Sequence, residues 1–203
     1  MNTRRILLAV ATVLCALAGA IAMAQAEPAD AFVRRISNDI LESIKADKSM
    51  QSGDVQRLAA LVDAKVMPSL DFERMTASAV GKYWRQATPI QRDSLQSEFK
   101  TLLVRTYAGA LAQVRDQRIE VKPMRGNVGD KELVVRTEVR GAGDPVQLDY
   151  RLEQTDSGWK IYDVNIMGVW LVENYRGSFS QEIANIGIDG LIAKLNQKNK
   201  ART

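Results

Sequence analysis

The side chains of this sequence that could carry out chemistry are carboxylates and phenols. Asp149, Asp163 and Glu173 could act as acids or bases, with Tyr150 or Tyr175 as a partner. The 203 residues include no histidine and one cysteine, which removes the usual general base near neutral pH and most transition-metal sites. The spacing of the carboxylates fixes no mutual geometry, so exposed or capping roles explain them better than catalysis. We predict a protein that is not an enzyme and that holds neither a metal nor a cofactor.

Residues 1–26 have the features of a cleaved signal peptide. A positive start, a long apolar run and small residues that would allow cleavage after Ala24 or Ala26 follow one another. A retained membrane anchor is the alternative, since the uncharged run is nearly long enough to span a bilayer. Its alanine and glycine content and the two cleavage sites favour removal. Cys15 leaves with this leader, so residues 27–203 are expected to form one exported domain without disulfides.

The charge of the chain does not favour a nucleic-acid partner. The formal net charge is +4. Removal of Arg4 and Arg5 with the leader leaves 26 basic residues against 24 acidic ones, and these are interspersed along the chain. The sequence also contains no GxSxG elbow, no phosphate-binding glycine loop and no HExxH motif. We predict no nucleic-acid binding.

The first half of the chain is patterned for helices that bury one face. Apolar residues at helical spacing predict a helix over residues 29–46 and a second one that ends near Pro68. Asp71 is suited to cap a third helix that starts at Phe72. Thr88 and Gln91 form a capping box at the start of a long helix. Its apolar face contains Leu95, Phe99, Leu102, Leu103, Thr106, Tyr107, Ala110, Leu111 and Val114.

The second half alternates apolar and polar residues with the period of a strand. Four such runs follow one another with short connections, which predicts a four-stranded antiparallel sheet with one apolar face. The alternating apolar positions are Ile119, Val121 and Pro123, then Leu133, Val135, Thr137 and Val139, then Val146, Leu148, Tyr150 and Leu152, and finally the run from Trp159 to Ile166. Gly126, Gly129 and Asp130 are expected to form the turn between the first two strands. The fold class predicted is therefore α+β, with the sheet packed against a set of helices.

The last strand is expected to pass directly into a helix at Met167–Gly168. Helical spacing begins at Val169, Gly187 is expected to interrupt the helix, and Asp189 to cap a short final one. A strand that leads into a helix places two apolar faces opposite each other. Such a pair of faces encloses either a packed core or an apolar cavity.

This last stretch resembles the carboxy-terminal signature of the MlaC family of periplasmic phospholipid carriers. A second block, towards the middle of the chain, resembles the family as well. Met167 and Trp170 depart from the family pattern, in which an acid and a small polar residue are usual. The residues that carry the resemblance are Tyr162–Val164, Gly168–Val169, Leu171–Val172, Asn174–Arg176, Phe179 and Ile186–Ile192 in the first block, and Phe72, Arg74–Met75, Ala79–Arg85, Ala87–Pro89 and Gln91 in the second.

The resemblance implies a soluble periplasmic protein that shuttles phospholipid between the two membranes and makes or breaks no bond. Its cargo is phospholipid, with the acyl chains in an elongated apolar cavity between sheet and helices. The implied partners are an outer-membrane lipoprotein–porin complex and an inner-membrane ABC transporter with a periplasmic lipid-binding ring, and the protein is expected to be a monomer. The cavity residues expected on this basis are Leu70, Met75, Phe99, Leu103, Tyr107, Val121, Val135, Val139, Leu148, Tyr150, Val164, Ile166, Val169 and Trp170.

Some alternatives stay open at this point. Alternating valines and leucines are usually ordinary core, and an apolar groove could serve a periplasmic chaperone or adaptor that binds polypeptide. Arg176 could lie near the lipid phosphate or near a docking partner, although a structural role is favoured because a lone arginine is not a bidentate pocket. Trp170 is expected at the mouth of the cavity, where an indole can meet both acyl chain and water.

Overall fold

A computed structural model describes residues 27–124 and 129–201 of the protein. Within these ranges helices come first, then a sheet, then one long helix. The predicted signal peptide and Gly126 of the predicted turn lie outside the described residues. The helices are α1 (Ala29–Ala46), α2 (Lys48–Gln51), α3 (Val55–Leu61), α4 (Phe72–Val80), α5 (Pro89–Leu111) and α6 (Leu171–Ala201), with a π-helical turn at Val62–Val66 and 3₁₀ turns at Met67–Ser69 and Gly81–Gln86.

The caps predicted at Asp71 and Thr88 are present. The Asp71 carboxylate accepts a hydrogen bond from the Arg74 backbone N–H at 2.9 Å, at the start of α4. Thr88 and Gln91 form the capping box of α5, with each side chain accepting from the other residue's backbone N–H. These contacts satisfy N–H groups that the first turn of a helix leaves free.

The sheet has five antiparallel strands in sequence order, so the prediction of four strands was wrong. The Met167 φ is 52° and the Gly168 φ is 90°, which reverses the chain in a tight turn. The Asn165 side-chain oxygen accepts a hydrogen bond from the Gly168 N–H at 2.8 Å. Val169 therefore pairs with Ile166 as a strand, and α6 begins at Leu171 rather than at Val169. The strands are β1 (Arg118–Val121), β2 (Glu132–Arg140), β3 (Val146–Thr155), β4 (Gly158–Ile166) and β5 (Val169–Trp170).

The register of the strands gives the sheet an apolar inner face and a polar outer face. Val135 on β2 pairs with Tyr150 on β3, which pairs with Val164 on β4. The register shifts between Arg151 and Leu152, opposite Tyr162. This irregularity lets Ile161 and Val164 point to the same inner face although they are three residues apart.

Helix α1 packs across the inner face near the start of β4. Phe32, Val33 and Ile36 are buried against sheet residues that include Leu152 and Ile161. The amphipathic spacing in the sequence therefore identified the face of α1 that meets the sheet.

A second core lies between α4, α5 and α6. The Phe99 ring is fully buried and contacts three other rings, with centroids 5.8 Å from Phe72, 5.0 Å from Tyr175 and 5.2 Å from Phe179. The Tyr175 and Phe179 rings meet Phe99 edge-on and the Phe72 ring is stacked on it, and aromatic contacts of both kinds add to the free energy gained by burying the rings. The apolar face of α5 thus packs largely against other helices.

The long helix α6 changes direction at Gly187, as the sequence predicted. The Gly187 backbone is non-helical, with φ 75° and ψ 176°. Beyond it, Asn199 donates to the Glu98 carboxylate at 2.7 Å, and Asp189 accepts from Gln91 at 2.7 Å. The second part of α6 is therefore held against α5. Over the described ranges, no helix combines the length and the apolar character needed to cross a membrane.

Candidate apolar binding pocket

An apolar pocket of about 270 Å³ lies between the inner face of the sheet and the helices. This volume is near the lower end of the ~300–1,000 Å³ range of ligand pockets in proteins. Its walls come from α1, the turns between α3 and α4, α4 itself, α5, the sheet and the start of α6. The lining residues are Val33, Ile36, Ser37, Ile40, Leu61, Val62, Val66, Met67, Ser69, Leu70, Phe72, Met75, Lys100, Leu103, Val104, Tyr107, Leu111, Tyr150, Ile161, Val164, Ile166 and Leu171.

Helix α5 contributes one stripe of side chains to the pocket. Lys100, Leu103, Val104, Tyr107 and Leu111 line it, at spacings of three and four residues that place them on one helical face. The neighbouring face of the same helix forms the core around Phe99. Between them, the pocket face and the core face account for most of the apolar residues of α5.

The opposite wall is formed by β3, β4 and α1. Tyr150 on β3 pairs with Val164 on β4, and Ile166 is two residues further along β4. The three side chains therefore lie on the same face of the sheet. Ile161 joins them because of the irregular register beside Tyr162. On α1 the same stripe that packs on the sheet continues along the pocket.

Two phenols, Tyr150 on β3 and Tyr107 on α5, are among the polar groups that line the pocket. Burial raises the pKa of Tyr150, and hydrogen bonds with Ser37 and Thr137 oppose that rise. Burial also raises the pKa of Tyr107. Both side chains are therefore neutral near neutral pH, so neither phenol adds a charge to the pocket.

Seven of the fourteen predicted cavity residues line this pocket. They are Leu70, Met75, Leu103, Tyr107, Tyr150, Val164 and Ile166. The other seven, which lie elsewhere, are Phe99, Val121, Val135, Val139, Leu148, Val169 and Trp170. That the residues of either group contact a lipid stays a prediction.

The seven outside the lining differ in their surroundings. Phe99 and Val135 are both fully buried, one among the aromatic rings and the other beneath α1. Val169 is half exposed on the short strand β5. Trp170 lies on the outer face of the sheet, where the Arg151 guanidinium carbon is 3.9 Å from its ring centroid. A pattern of apolar residues cannot separate these packed and exposed positions from the pocket wall.

Sequence reasoning missed the contribution of α1 and, apart from Leu70, of the connection between α3 and α4. The helical spacing of Ile36 and Ile40 showed that α1 lies on something apolar, so these two could have been included. Val62 and Val66 belong to the second predicted helix, but they reach the pocket through a π-helical turn. No sequence signal for that turn was available.

The carboxylates first considered for catalysis lie away from the pocket. Asp163 is buried and accepts hydrogen bonds from the Val164 N–H at 2.9 Å, the Val172 N–H at 3.1 Å and Arg151 at 3.1 Å. Burial raises the pKa of Asp163 despite these contacts. The carboxylate thus joins β4 to the first turn of α6, which is a structural role. Among residues 27–124 and 129–201, no group of three or more potential ligands could hold a metal ion.

Arg176 also lies away from the lining residues. A β-carbon placed on Gly81 would be 3.6 Å from the Arg176 Nε, so the guanidinium lies against the backbone that follows α4. This position agrees with the structural role favoured for Arg176.

Comparison with known proteins places this fold and pocket in a family. Residues 34–197 match the family model described as MlaC protein. The toluene tolerance protein ttg2D of Pseudomonas putida is 28% identical over 160 residues, which are 77% of this chain and 74% of that protein. The intermembrane phospholipid transport system binding protein MlaC of Haemophilus influenzae is 24% identical over 170 residues, 81% of this chain and 79% of that protein.

A solved structure shares the whole architecture. It is a phospholipid-binding protein from Ralstonia solanacearum in complex with a phospholipid, with a TM-score of 0.84 and 44% identity. The match covers 87% of this chain and 99% of that one. The fold is therefore that of a lipid-binding and lipid-transport protein, and the chain belongs to the MlaC family.

Proposed function

We propose that this protein is a periplasmic phospholipid carrier that holds acyl chains in the apolar pocket between α1, α5 and the sheet. The observation that carries the proposal is this pocket, in a chain whose sequence is 44% identical to that of a protein solved in complex with a phospholipid. Residues 27–203 would act as one lipid-binding domain after removal of residues 1–26 in the periplasm. Catalysis plays no part in this function.

The physics of the pocket suits a hydrocarbon cargo. Each methylene group moved from water into an apolar site contributes about 0.8 kcal/mol, so two long acyl chains would gain on the order of 20 kcal/mol before costs. Ordering of the lipid and the loss of its freedom reduce that gain.

We further propose that the carrier exchanges phospholipid between membrane complexes. The expected partners are an outer-membrane lipoprotein–porin complex and an inner-membrane ABC transporter with a periplasmic lipid-binding ring. Membership of the MlaC family supports this, as does the description of the Haemophilus relative as part of an intermembrane phospholipid transport system.

Native mass spectrometry of the protein purified from a periplasmic extract tests the carrier proposal. We expect discrete added masses that match phospholipids. Val66→Trp should reduce them, because Val66 lines the pocket and an indole there takes up its volume. Lys65→Trp is the matched control, since Lys65 is an exposed neighbour outside the lining. A ligand-free spectrum together with affinity for unfolded peptide would instead support the chaperone alternative.

A further inference from the structure

One charged side chain belongs to the wall of the otherwise apolar pocket. Among the described residues that line it, Lys100 alone carries a charge. Its Nζ lies 2.7 Å from the Asp63 Oδ1, and the two side chains are 31% and 54% exposed. The ammonium group is thus at the edge of the pocket, in contact with water, while the hydrocarbon part of the side chain belongs to the wall.

The position of Lys100 along α5 gives the pocket a charged end. Lys100 and Leu111 are the first and last members of the lining stripe on α5, about 16 Å apart at the rise of a helix. Asp63 lies on the π-helical turn, between the lining residues Val62 and Val66. The ion pair therefore connects two walls of the pocket at its edge.

We propose that Lys100 binds the phosphodiester of a phospholipid whose acyl chains occupy the pocket, and that the phosphate replaces Asp63 as its partner. This inference rests on the proposed carrier function and adds a headgroup contact to it. An acyl chain that follows the stripe of α5 brings the polar end of its lipid to one edge of the pocket. At the Lys100 edge the phosphate meets a cation whose stem already lies against hydrocarbon.

The role of Asp63 in this arrangement is to neutralise Lys100 when the pocket is empty. A carboxylate and a phosphodiester each carry one negative charge, so the phosphate can take the place of Asp63 as the ion-pair partner of Lys100, and the displaced Asp63 carboxylate then turns to water. Because the pair is partly exposed, the contact should change lipid preference about three- to five-fold rather than decide binding by itself.

A competition between two lipids with identical acyl chains measures this preference. Lipid-free protein is incubated with vesicles that contain equal amounts of phosphatidylglycerol and diacylglycerol, and native mass spectrometry gives the ratio of the two bound species. Lys100→Met should lower the phosphatidylglycerol share about three- to five-fold, whereas Lys100→Arg should retain it. Asp63→Asn removes the competing carboxylate and should raise the phosphatidylglycerol share. Lys65→Met, at an exposed lysine outside the lining, serves as the control.

The outcomes separate this inference from the carrier function. If every variant loads lipid with the ratio of the unchanged protein, the inference is wrong and the carrier function stands. If the unchanged protein loads neither lipid, both fall. Should Lys100→Met not fold, Asp63→Asn still decides, because a phosphatidylglycerol share that does not rise contradicts the exchange. Phosphorus NMR with inorganic phosphate alone provides the last arm. Binding of free phosphate that Lys100→Met abolishes would show a general anion site, and would overturn the assignment to a lipid headgroup.

Discussion

Trp170 stacks beneath Arg151 on the face of the sheet that points away from the pocket. The guanidinium carbon is 3.9 Å from the ring centroid, and the same arginine donates to the buried Asp163 carboxylate at 3.1 Å. A cation over an indole face is attracted by the negative charge of that face. Trp170 therefore connects β5 to the polar network of β3 and β4, which differs from the expected place at a cavity mouth.

Fluorescence quenching provides a test of this placement. In a Trp84→Phe, Trp159→Phe variant, Trp170 is the sole tryptophan of the chain. Loading with phospholipid brominated on its acyl chains should quench its emission weakly. The matched variant carries Trp170→Phe as well as Tyr107→Trp, whose new indole lies in the pocket lining, and its emission should be quenched strongly. Equal quenching of the two would place Trp170 beside the acyl chains after all.

Asp163 predicts a specific pH dependence of stability. Burial raises its pKa in the folded protein above the ordinary value of 3.8. The folded state then binds a proton more tightly than the unfolded state, so this carboxyl contributes a free energy of unfolding that falls as the pH rises through the raised pKa. Relative to Asp163→Asn, the unchanged protein should lose stability as the pH rises from about 3.8 through the raised pKa of Asp163.

Urea denaturation at a series of pH values measures that difference. Asp116→Asn is the control, because it removes one carboxylate from an exposed position. The difference between the unchanged protein and Asp163→Asn should fall as the pH rises, and Asp116→Asn shows how much of any change follows from the loss of a carboxylate alone. A difference that grows with pH would mean that Arg151 and the two backbone N–H groups outweigh burial.

Two neighbouring leucines on α5 allow a residue of the pocket wall to be compared with a residue of the core. Leu103 lines the pocket and is half buried, whereas Leu102 is 1% exposed in the aromatic core. Leu103→Glu should lower the lipid that co-purifies while the protein stays folded, because water can reach the new charge. Leu102→Glu should cost several kcal/mol, because it buries a charge without a partner.

Circular dichroism melts and lipid content, measured on the same preparations, test this pair. Val135→Glu should destabilise the protein as Leu102→Glu does, since Val135 is fully buried beneath α1. If Leu103→Glu unfolds as readily as Leu102→Glu, the stripe assigned to the pocket is ordinary core.

The sequence predicted the element types because their periodicities are strong. The capping box at Thr88 and the alternation of β2 and β3 required only local information. The fifth strand was not predicted, because the turn before it requires a positive φ at Met167, which non-glycine residues rarely adopt. A helix after Gly168 was therefore the simpler expectation, and tertiary pairing overruled it.

The lining of the pocket depends on what lies opposite each residue, which periodicity does not contain. Val135 and Tyr150 are paired across two strands and share the inner face. One is covered by α1, and the other borders the pocket. Their different surroundings depend on where α1 crosses the sheet.

The kink at Gly187 leads to the last prediction. Its φ of 75° and ψ of 176° fall in a region that is nearly exclusive to glycine, so Gly187→Ala should destabilise the protein by about 1–3 kcal/mol. Gly177 is the matched control on the same helix, as it is exposed and a β-carbon there would meet nothing within 4 Å. Because glycine weakens a helix interior, Gly177→Ala should stabilise the protein by about 0.5–1 kcal/mol. Urea unfolding of both variants measures the two effects. A Gly187→Ala protein as stable as the unchanged one would show that α6 can continue straight through this position, and the contacts that Asp189 and Asn199 make with α5 would then not depend on the kink.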